Sequence, residues 1–224
     1  MMNKIALTTI VFFLLTVGLA SAQKVSTKKH ADEAYWEVVS KRAEKIVNDL
    51  NVQDEAKFGR VRDLIAQQYY DLNGIHDGAK AAKEQVKKES HNKEAATAKV
   101  EKIQKKADKD LAKLHKQYLK NLSKELNSEQ IEGVKNGMTY GVLPITYGGY
   151  QEMIPHLTQE EKQQIYDWLV EAREHAMDAG SSDEKHGWFG KYKGRINNYL
   201  SGRGYDLKTL SKEWEERVRE AKKK

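Results

Sequence analysis

Apolar residues recur at steps of three and four along most of the chain after residue 30, a spacing typical of amphipathic helices. The first pattern covers residues 31–50, and a second runs over residues 58–72 until the Asn73–Gly74 pair supplies a helix stop. Between them, Asn51 and Asp54 resemble a capping box. These patterns predict two antiparallel helices joined by a short turn.

The next predicted helix is long, running from about Ala79 to Leu126, and lysine and glutamate fill most of its surface. Its apolar stripe is regular over residues 100–122 but thins to alanine and polar residues around residues 90–92. A break there would divide the segment into two antiparallel arms. The sequence therefore predicts that residues 79–126 form a lysine-rich, coiled-coil-like hairpin arm.

The segment after Leu126 has a different character. Two capping-box patterns begin at Asn127 and Thr158, and residues 137–150 between them are rich in glycine and aromatic residues. We interpret this stretch as an ordered loop with one strand-like window at residues 142–147. Further helices are expected over residues 160–179, from 181 to about 200, and over 207–222. The predicted fold class is an all-α multi-helix bundle with one arm and one Gly/aromatic-rich loop.

The N-terminus has the order of a secretory signal peptide. Lys4 precedes an apolar run over residues 5–20, and the small residues of Ala20-Ser21-Ala22 form a cleavage site. The apolar run is shorter than the roughly 20 residues that span a bilayer. We therefore predict a signal peptide at 1–22 and a single domain at 23–224 without a membrane span. The expected location is the periplasm, with secretion as the alternative.

Charge and composition exclude several functional classes. The chain carries a formal net charge of +6 and has no cysteine, which excludes disulfides and thiolate chemistry. Residues 80–124 hold 14 lysines and 6 acidic residues, so the positive charge is concentrated in the arm. Because acidic residues alternate with these lysines and no aromatic platform accompanies them, we expect no nucleic-acid partner.

Residues 186–205 have an unusual composition. Gly187, Gly190 and Gly194 would share one face of a helix, at a total cost of about 3 kcal/mol relative to alanine. We interpret them as a site of close backbone packing, with contact to a ligand as the alternative.

Aromatic, cationic and amide side chains alternate with these glycines, a mixture that suits sugar rings and their hydroxyl or carboxylate oxygens. The alternative interpretation assigns the rings to the core and the cations to a solvated face. The candidate ligand-binding residues are Trp188, Tyr192, Arg195, Asn198, Tyr199, Lys191, Tyr140 and Tyr147.

Glu171, His175 and Asp178 would share one helical face, as in half of a metal or acid/base site. Such spacing is common in charged helices, so we interpret the three as a surface ladder. The sequence assigns no catalytic residue, no metal ligand and no cofactor.

Three segments resemble an exported family, domain-of-unknown-function family 3826, which occurs in polysaccharide-degrading Gram-negative bacteria. They are GMTYGVLPITY at residues 137–147, LTQEEKQQIYDWLVEAREHAMD at 157–178, and KHGWFGKYKGRINNYLSGRGYDL at 185–207. The resemblance is concentrated in residues 127–207, the family-like C-terminal core. The sugar-binding label of that family implies a carbohydrate partner, and acidic plant-type glycans are the ligands that the cations favour.

A second resemblance indicates a different class of function. The motifs at residues 126–130 and 157–161 resemble the Leu-Thr-x-x-Gln motif of small periplasmic stress chaperones, which are also helical and basic. A chaperone-like protein and an uncharacterised enzyme acting on glycans therefore stay as alternatives. The expected function is carbohydrate binding by an exported protein, and the oligomeric state is left open.

Overall fold

The computed structural model describes residues 32–90 and 92–223, which form eight α-helices and no strand, so the predicted all-α class is confirmed. The predicted signal peptide lies outside these residues. None of the described helices is long and apolar enough to cross a membrane. The helices are α1 (Glu33–Asn48), α2 (Glu55–Glu89), α3 (Lys93–Glu125), α4 (Ser128–Met138), α5 (Val142–Met153), α6 (Gln159–Met177), α7 (Ser182–Gly202) and α8 (Leu207–Ala221).

Side-chain caps set the start of seven of these eight helices. Asn127 and Thr158 form complete capping boxes with Gln130 and Glu161, as the sequence predicts. At α2, however, the cap is Asp54, whose carboxylate accepts a hydrogen bond from the Lys57 amide. Since each cap satisfies backbone donors that the first turn leaves free, short local motifs fix most helix boundaries.

The arm is a hairpin in which α2 ends at Glu89 and α3 begins at Lys93, so the helix is interrupted where the sequence indicated a break. The predicted helix stop at Asn73–Gly74 is wrong, because α2 continues through both residues to Glu89. A glycine inside a helix costs only about 1 kcal/mol, which the packing of α2 against α1 and α3 offsets. The first helix of the arm is therefore the outer half of the 35-residue α2 rather than a separate element.

The predicted loop at residues 137–150 is also wrong. It contains the end of α4, a tight turn, and most of α5, so the window at residues 142–147 is helical rather than extended. Tyr140 and Gly141 make the turn with φ values of 60° and 66°. Pro144 lies in the first turn of α5, where its missing N–H would have no helical partner. Apolar periodicity alone did not separate a short helix from a strand.

Two hydrophobic clusters form the interior. One gathers buried side chains from α1 to α4 together with Met177, and the other gathers side chains from α5 to α8. Met177 is the last residue of α6, so this helix contributes to both clusters. The C-terminal end of α6 is thus the point where the two halves of the described chain meet.

The glycines of α7 do not mediate close packing, contrary to the sequence-based interpretation. Gly187, Gly190 and Gly194 are exposed, and a Cβ added to any of them would meet nothing within 4 Å. Close approach occurs instead in α4, where a Cβ on Gly137 would lie 2.9 Å from both γ carbons of Ile46. Gly137 of α4 is therefore the glycine that permits close packing, at the contact of α4 with α1.

This difference gives a matched pair of variants. Gly137→Ala is expected to lower the free energy of unfolding by about 1–3 kcal/mol through overpacking against Ile46. Gly194→Ala is expected to raise it by up to about 1 kcal/mol, because alanine has the higher helix propensity and open space surrounds the site. Denaturant unfolding of both variants and the wild type measures the two changes. A stabilised Gly137→Ala or a destabilised Gly194→Ala would contradict this packing.

Candidate functional site

Five of the eight sequence-predicted site residues lie along the line where α7 packs on α6, which we call the α6–α7 seam. Tyr192 is only 5% exposed and belongs to the core cluster, whereas Lys191 and Arg195 are exposed. Trp188 and Tyr199 are half-buried. The predicted common face of α7 therefore exists, but one of its three aromatic rings is interior.

The half-buried rings of the seam already have partners. The ring of His175 stacks on Trp188 at 4.3 Å between centroids, and the Lys191 amine lies 4.9 Å from the Trp188 ring centre. On the neighbouring turns, the Arg195 guanidinium lies 4.5 Å from the centre of the Trp168 ring, and Tyr199 meets Trp168 edge-on. A sugar that stacked on these tryptophans would have to displace a cation from the ring face.

The remaining predicted residues lie elsewhere. Asn198 is exposed on α7, and Tyr147 of α5 packs edge-on against Tyr166 in the second core cluster. Tyr140 occupies the turn between α4 and α5, where its ring is 52% exposed and stacks on His186 at 5.4 Å. The eight residues therefore do not form one site.

Glu171, His175 and Asp178, which the sequence places on one face as a surface ladder, each contact a different partner and do not converge on a common site. Glu171 lies 3.5 Å from Arg195, His175 stacks on Trp188, and Asp178 pairs with His115. Among the described residues, no group of three potential ligands is arranged to hold a metal ion.

A cavity of about 490 Å³ lies where α1, α2, the α4–α5 turn and the start of α7 meet. We call it the basic cavity. Apart from its tyrosines, four ionisable residues line it, and three of them are cations. These are Arg42, Lys45 and Lys185, against the single carboxylate of Asp49. Three tyrosine rings complete the walls: Tyr35, Tyr69 and Tyr140.

Lys185 is the buried cation of this cavity, with 6% of its surface exposed. Its amine donates hydrogen bonds to the carbonyl oxygens of Ala176 at 2.9 Å and Met177 at 3.3 Å. Burial, with a smaller contribution from Arg42, lowers the pKa of Lys185 to about 8, although the carboxylates of Asp178 and Glu184 oppose that decrease. The folded protein therefore disfavours the charged form of this amine, because its pKa lies below the ordinary value of 10.5.

Arg42 and Lys45 are exposed, and neither forms a hydrogen bond or an ion pair with any residue in the described part of the chain. Arg42 is nevertheless close enough to lower the pKa of Tyr35 and Tyr69, both of which burial raises. Arg42 and Lys45 are thus free to bind a ligand, whereas Lys185 is buried.

The α4–α5 turn contributes a tyrosine in an uncommon backbone conformation. Tyr140 has a φ of 60°, a left-handed value that costs a residue with a Cβ roughly 1 kcal/mol or more. This conformation brings the Tyr140 ring to the wall of the basic cavity and onto His186. Such strain is retained where the surrounding structure fixes it, and it is concentrated at binding sites.

One wall of the cavity depends on the C-terminal end of α6, where three helices attach. The Nε2–H of His76 on α2 donates to the Asp178 carbonyl oxygen at 2.7 Å, and Lys185 of α7 binds the two preceding carbonyls. His115 of α3 lies 2.9 Å from the Asp178 carboxylate and 3.4 Å from that of Glu174. We call this set of contacts the α6 junction.

The charges of the α6 junction reinforce one another. Hydrogen bonds to Asp178 and Glu174 raise the pKa of His115 to about 9, although partial burial opposes this increase. Burial would raise the pKa of Glu174, but His115, Lys135 and Arg173 lower it to about 2. His115 is therefore protonated at neutral pH and joins the arm to α6 by ion pairs.

Sequence reasoning missed the cations of α1. Residues 35, 42, 46 and 49 lie close to one helical face, but Arg42 and Lys45 are ordinary members of a charged helix. Their role depends on the start of α7, about 140 residues later in the chain, coming to lie beside them. The one cavity residue that the sequence singled out is Tyr140.

A glutamine at residue 115 tests the α6 junction. Because the pKa of His115 is raised on folding from 6.5 to about 9, its stabilising contribution is complete below pH 6.5 and disappears as the pH rises to 9. His115→Gln should therefore lower the free energy of unfolding by on the order of 1–2 kcal/mol at pH 6 and much less at pH 10.

Denaturant unfolding of His115→Gln and the wild type at both pH values measures this difference. The pKa of Lys185 also lies in this range, but Lys185 is present in both proteins and affects their difference only through its coupling to Asp178. A difference between the two proteins that is independent of pH would contradict the ion-pair account.

Comparison with known proteins places the chain in a family. The model of the family described as "Protein of unknown function (DUF3826)" matches residues 36–220, from the first turn of α1 to the last turn of α8. No curated protein matches the chain significantly. The match covers every described helix, including the arm, and extends well beyond the three segments that carry the resemblance. The chain therefore belongs to the DUF3826 family.

Proposed function

We propose that the protein binds an acidic carbohydrate in the basic cavity. The observation that carries this proposal is the convergence of Arg42, Lys45 and Lys185 on one concave space with a single opposing carboxylate. Like charges facing a shared cavity repel one another, and the pKa of Lys185 is lowered partly by Arg42. A bound anion would turn this repulsion into attraction, so the cavity is electrostatically suited to a negative ligand.

The cations have complementary properties as ligands for carboxylates. Arg42 offers a planar guanidinium that can bind a carboxylate with two parallel hydrogen bonds. Lys45 is in the last turn of α1 and offers a mobile point charge. Lys185 is already bound to two backbone carbonyls, so it contributes its charge more than its geometry.

The rest of the cavity wall suits a sugar better than a simple inorganic anion. The rings of Tyr35, Tyr69 and Tyr140 present flat apolar surface, and the amide of Asn73 and the hydroxyl of Ser182 can bind sugar hydroxyls. A volume of about 490 Å³ lies in the usual range for small-molecule sites. Polar groups at the walls of a concave aromatic space are the usual arrangement for a polyhydroxylated ligand.

The α6–α7 seam is the competing location on this protein. It carries most of the candidate residues predicted from the sequence, but its tryptophan rings are covered by His175, Lys191 and Arg195. The basic cavity has cations without partners, whereas Arg195 of the seam is paired with Glu171 at 3.5 Å. The cavity is therefore the better-supported site, and variants can distinguish the two.

Export and the ligand class belong to the same proposal. The signal-peptide pattern of residues 1–22 supports a location outside the cytoplasm, where acidic plant-type glycans are a source of such ligands. The chaperone-like alternative has less support, because Leu126 and Leu157 of its two motifs are buried and the polar residues that follow form helix caps.

A trimer of α-1,4-linked galacturonic acid is a suitable ligand for the test, and its carboxyl-reduced form is the neutral control. By isothermal titration calorimetry, we expect the acidic trimer to bind and the neutral trimer to bind at least tenfold more weakly. Arg42→Gln should reduce affinity for the acidic trimer by tenfold or more, because it removes the free guanidinium. This loss should be smaller at high salt, which screens the exposed charge.

Arg195→Gln is the matched control, since it removes an exposed arginine from the seam and leaves the cavity intact. Its affinity should equal that of the wild type. If Arg195→Gln lost binding and Arg42→Gln kept it, the site would lie on the seam. Equal binding of the acidic and neutral trimers, or no binding to any acidic member of a glycan array, would contradict the proposal.

A further inference from the structure

Exposed apolar side chains gather beside the basic cavity. In the part of the chain that the structure describes, three large apolar side chains are exposed: Val38 with 46% of its surface, Tyr140 with 52% and Ile145 with 71%. Single exposed apolar residues are common on soluble proteins and need no explanation. What distinguishes these three is their placement, because each lies in the cavity wall or next to residues that line it. We call them the apolar rim.

Val38 lies on the face of α1 that lines the cavity. At roughly 100° per residue, the α1 residues of the wall span an arc of about 100° around the helix axis, and Val38 falls inside that arc. These wall residues are Tyr35, Arg42, Lys45, Ile46 and Asp49. Arg42 follows Val38 by four residues, so the two side chains are neighbours on the helix surface. A ligand held by the Arg42 guanidinium would therefore have Val38 beside it.

Ile145 continues the apolar rim at the α4–α5 turn. A Cβ added to Gly141 would lie 3.8 Å from the Cδ1 of Ile145, so the isoleucine side chain lies over the residue that follows Tyr140. The backbone supports this position, since the Ile145 amide donates to the Gly141 carbonyl oxygen at 3.3 Å. Neither Ile145 nor Val38 belongs to the two hydrophobic clusters of the described chain. Both side chains are therefore available to a molecule from outside.

The apolar rim differs chemically from the interior of the cavity. Inside, flat tyrosine rings stand beside cations and hydrogen-bonding groups, whereas Val38 and Ile145 are aliphatic. A sugar hydroxyl turned toward these two side chains would lose water without gaining a hydrogen-bond partner, which costs free energy. An apolar group in the same place would remove apolar surface from water on both partners. The combination therefore favours a ligand that is anionic in one part and apolar in another.

We propose that the acidic sugar of the basic cavity carries an apolar substituent, an aryl or acyl group, which packs on the apolar rim. This inference rests on the proposed function, because it takes the carboxylate of the sugar as the group that Arg42 binds. The rim would then select among acidic sugars, which cations alone do not distinguish. A second copy of the chain is less suitable, since a symmetric contact through the rim would bring two basic cavities together.

Isothermal titration calorimetry on the chain without its predicted signal peptide tests the inference with three forms of the α-1,4-linked galacturonic acid trimer. One is unsubstituted, the second is the benzyl glycoside at the reducing end, and the third carries a benzoyl ester on the non-reducing end. We expect at least one substituted trimer to bind at least fivefold more tightly than the unsubstituted trimer. Sodium benzoate should bind at least tenfold more weakly than that trimer, because it lacks the sugar.

The ratio of the affinities for the substituted and unsubstituted trimers is the quantity that variants should change. The double variant Val38→Gln/Ile145→Gln should reduce this ratio to less than twofold, and it should fold because both positions are exposed on helices. Val218→Gln is the matched control on α8, since it replaces a half-buried valine that lies outside both hydrophobic clusters. It should keep the ratio of the wild type.

The outcomes separate this inference from carbohydrate binding itself. Binding of the unsubstituted trimer with no gain from either substituent would overturn the inference alone, whereas binding of no trimer would overturn both proposals. A ratio that the double variant leaves unchanged, or benzoate binding as tight as that of the substituted trimers, would also overturn the inference. So would a wild-type dimer in sedimentation that the double variant abolishes, because the rim would then be covered by a second copy.

Discussion

The C-terminal end of α6 is the point on which the rest of the structure depends. The last carbonyls of a helix lack intrahelical partners and carry partial negative charge, so cations and donors stabilise them. Here Lys185 binds the carbonyls of Ala176 and Met177, and His76 binds that of Asp178. These contacts attach α2 and α7 to a single helix end, and the neighbouring Asp178 carboxylate attaches α3 through His115.

The basic cavity follows from this arrangement. Because Lys185 is turned toward the end of α6, its charge is buried beside the cavity and the start of α7 is brought next to α1. Arg42 then shares the cavity with this second cation and forms no ion pair with any carboxylate in the described part of the chain. The proposed anionic ligand rests on this concentration of positive charge in one concave space.

The sequence was sufficient for most of the fold because helix boundaries are encoded locally. Capping residues such as Asn127 and Thr158 and the apolar periodicity of α6 identify their helices without reference to the rest of the chain. The errors occurred where tertiary packing overrode local preference. Gly74 did not end α2, residues 142–147 became helical, and the glycines of α7 turned out to be exposed.

The site was far less predictable, since it is assembled from residues that are distant in sequence. Arg42, Asn73, Tyr140 and Lys185 lie on four different segments, and only the packed structure brings them to one cavity. The composition of α7 drew attention to its aromatic and cationic residues. Composition does not show, however, whether an aromatic ring is open to a ligand or already covered by a lysine.

The most direct test of this account is the titration of the Lys185 amine, followed by its side-chain nitrogen resonance from pH 6 to pH 11. In the protein alone the amine should titrate near pH 8, because burial and Arg42 both disfavour its charged form. Saturation with trigalacturonate should move that midpoint upward, since a bound carboxylate stabilises the charged amine. A midpoint that is the same with and without saturating ligand, or one near the ordinary value of 10.5 in the protein alone, would contradict the account.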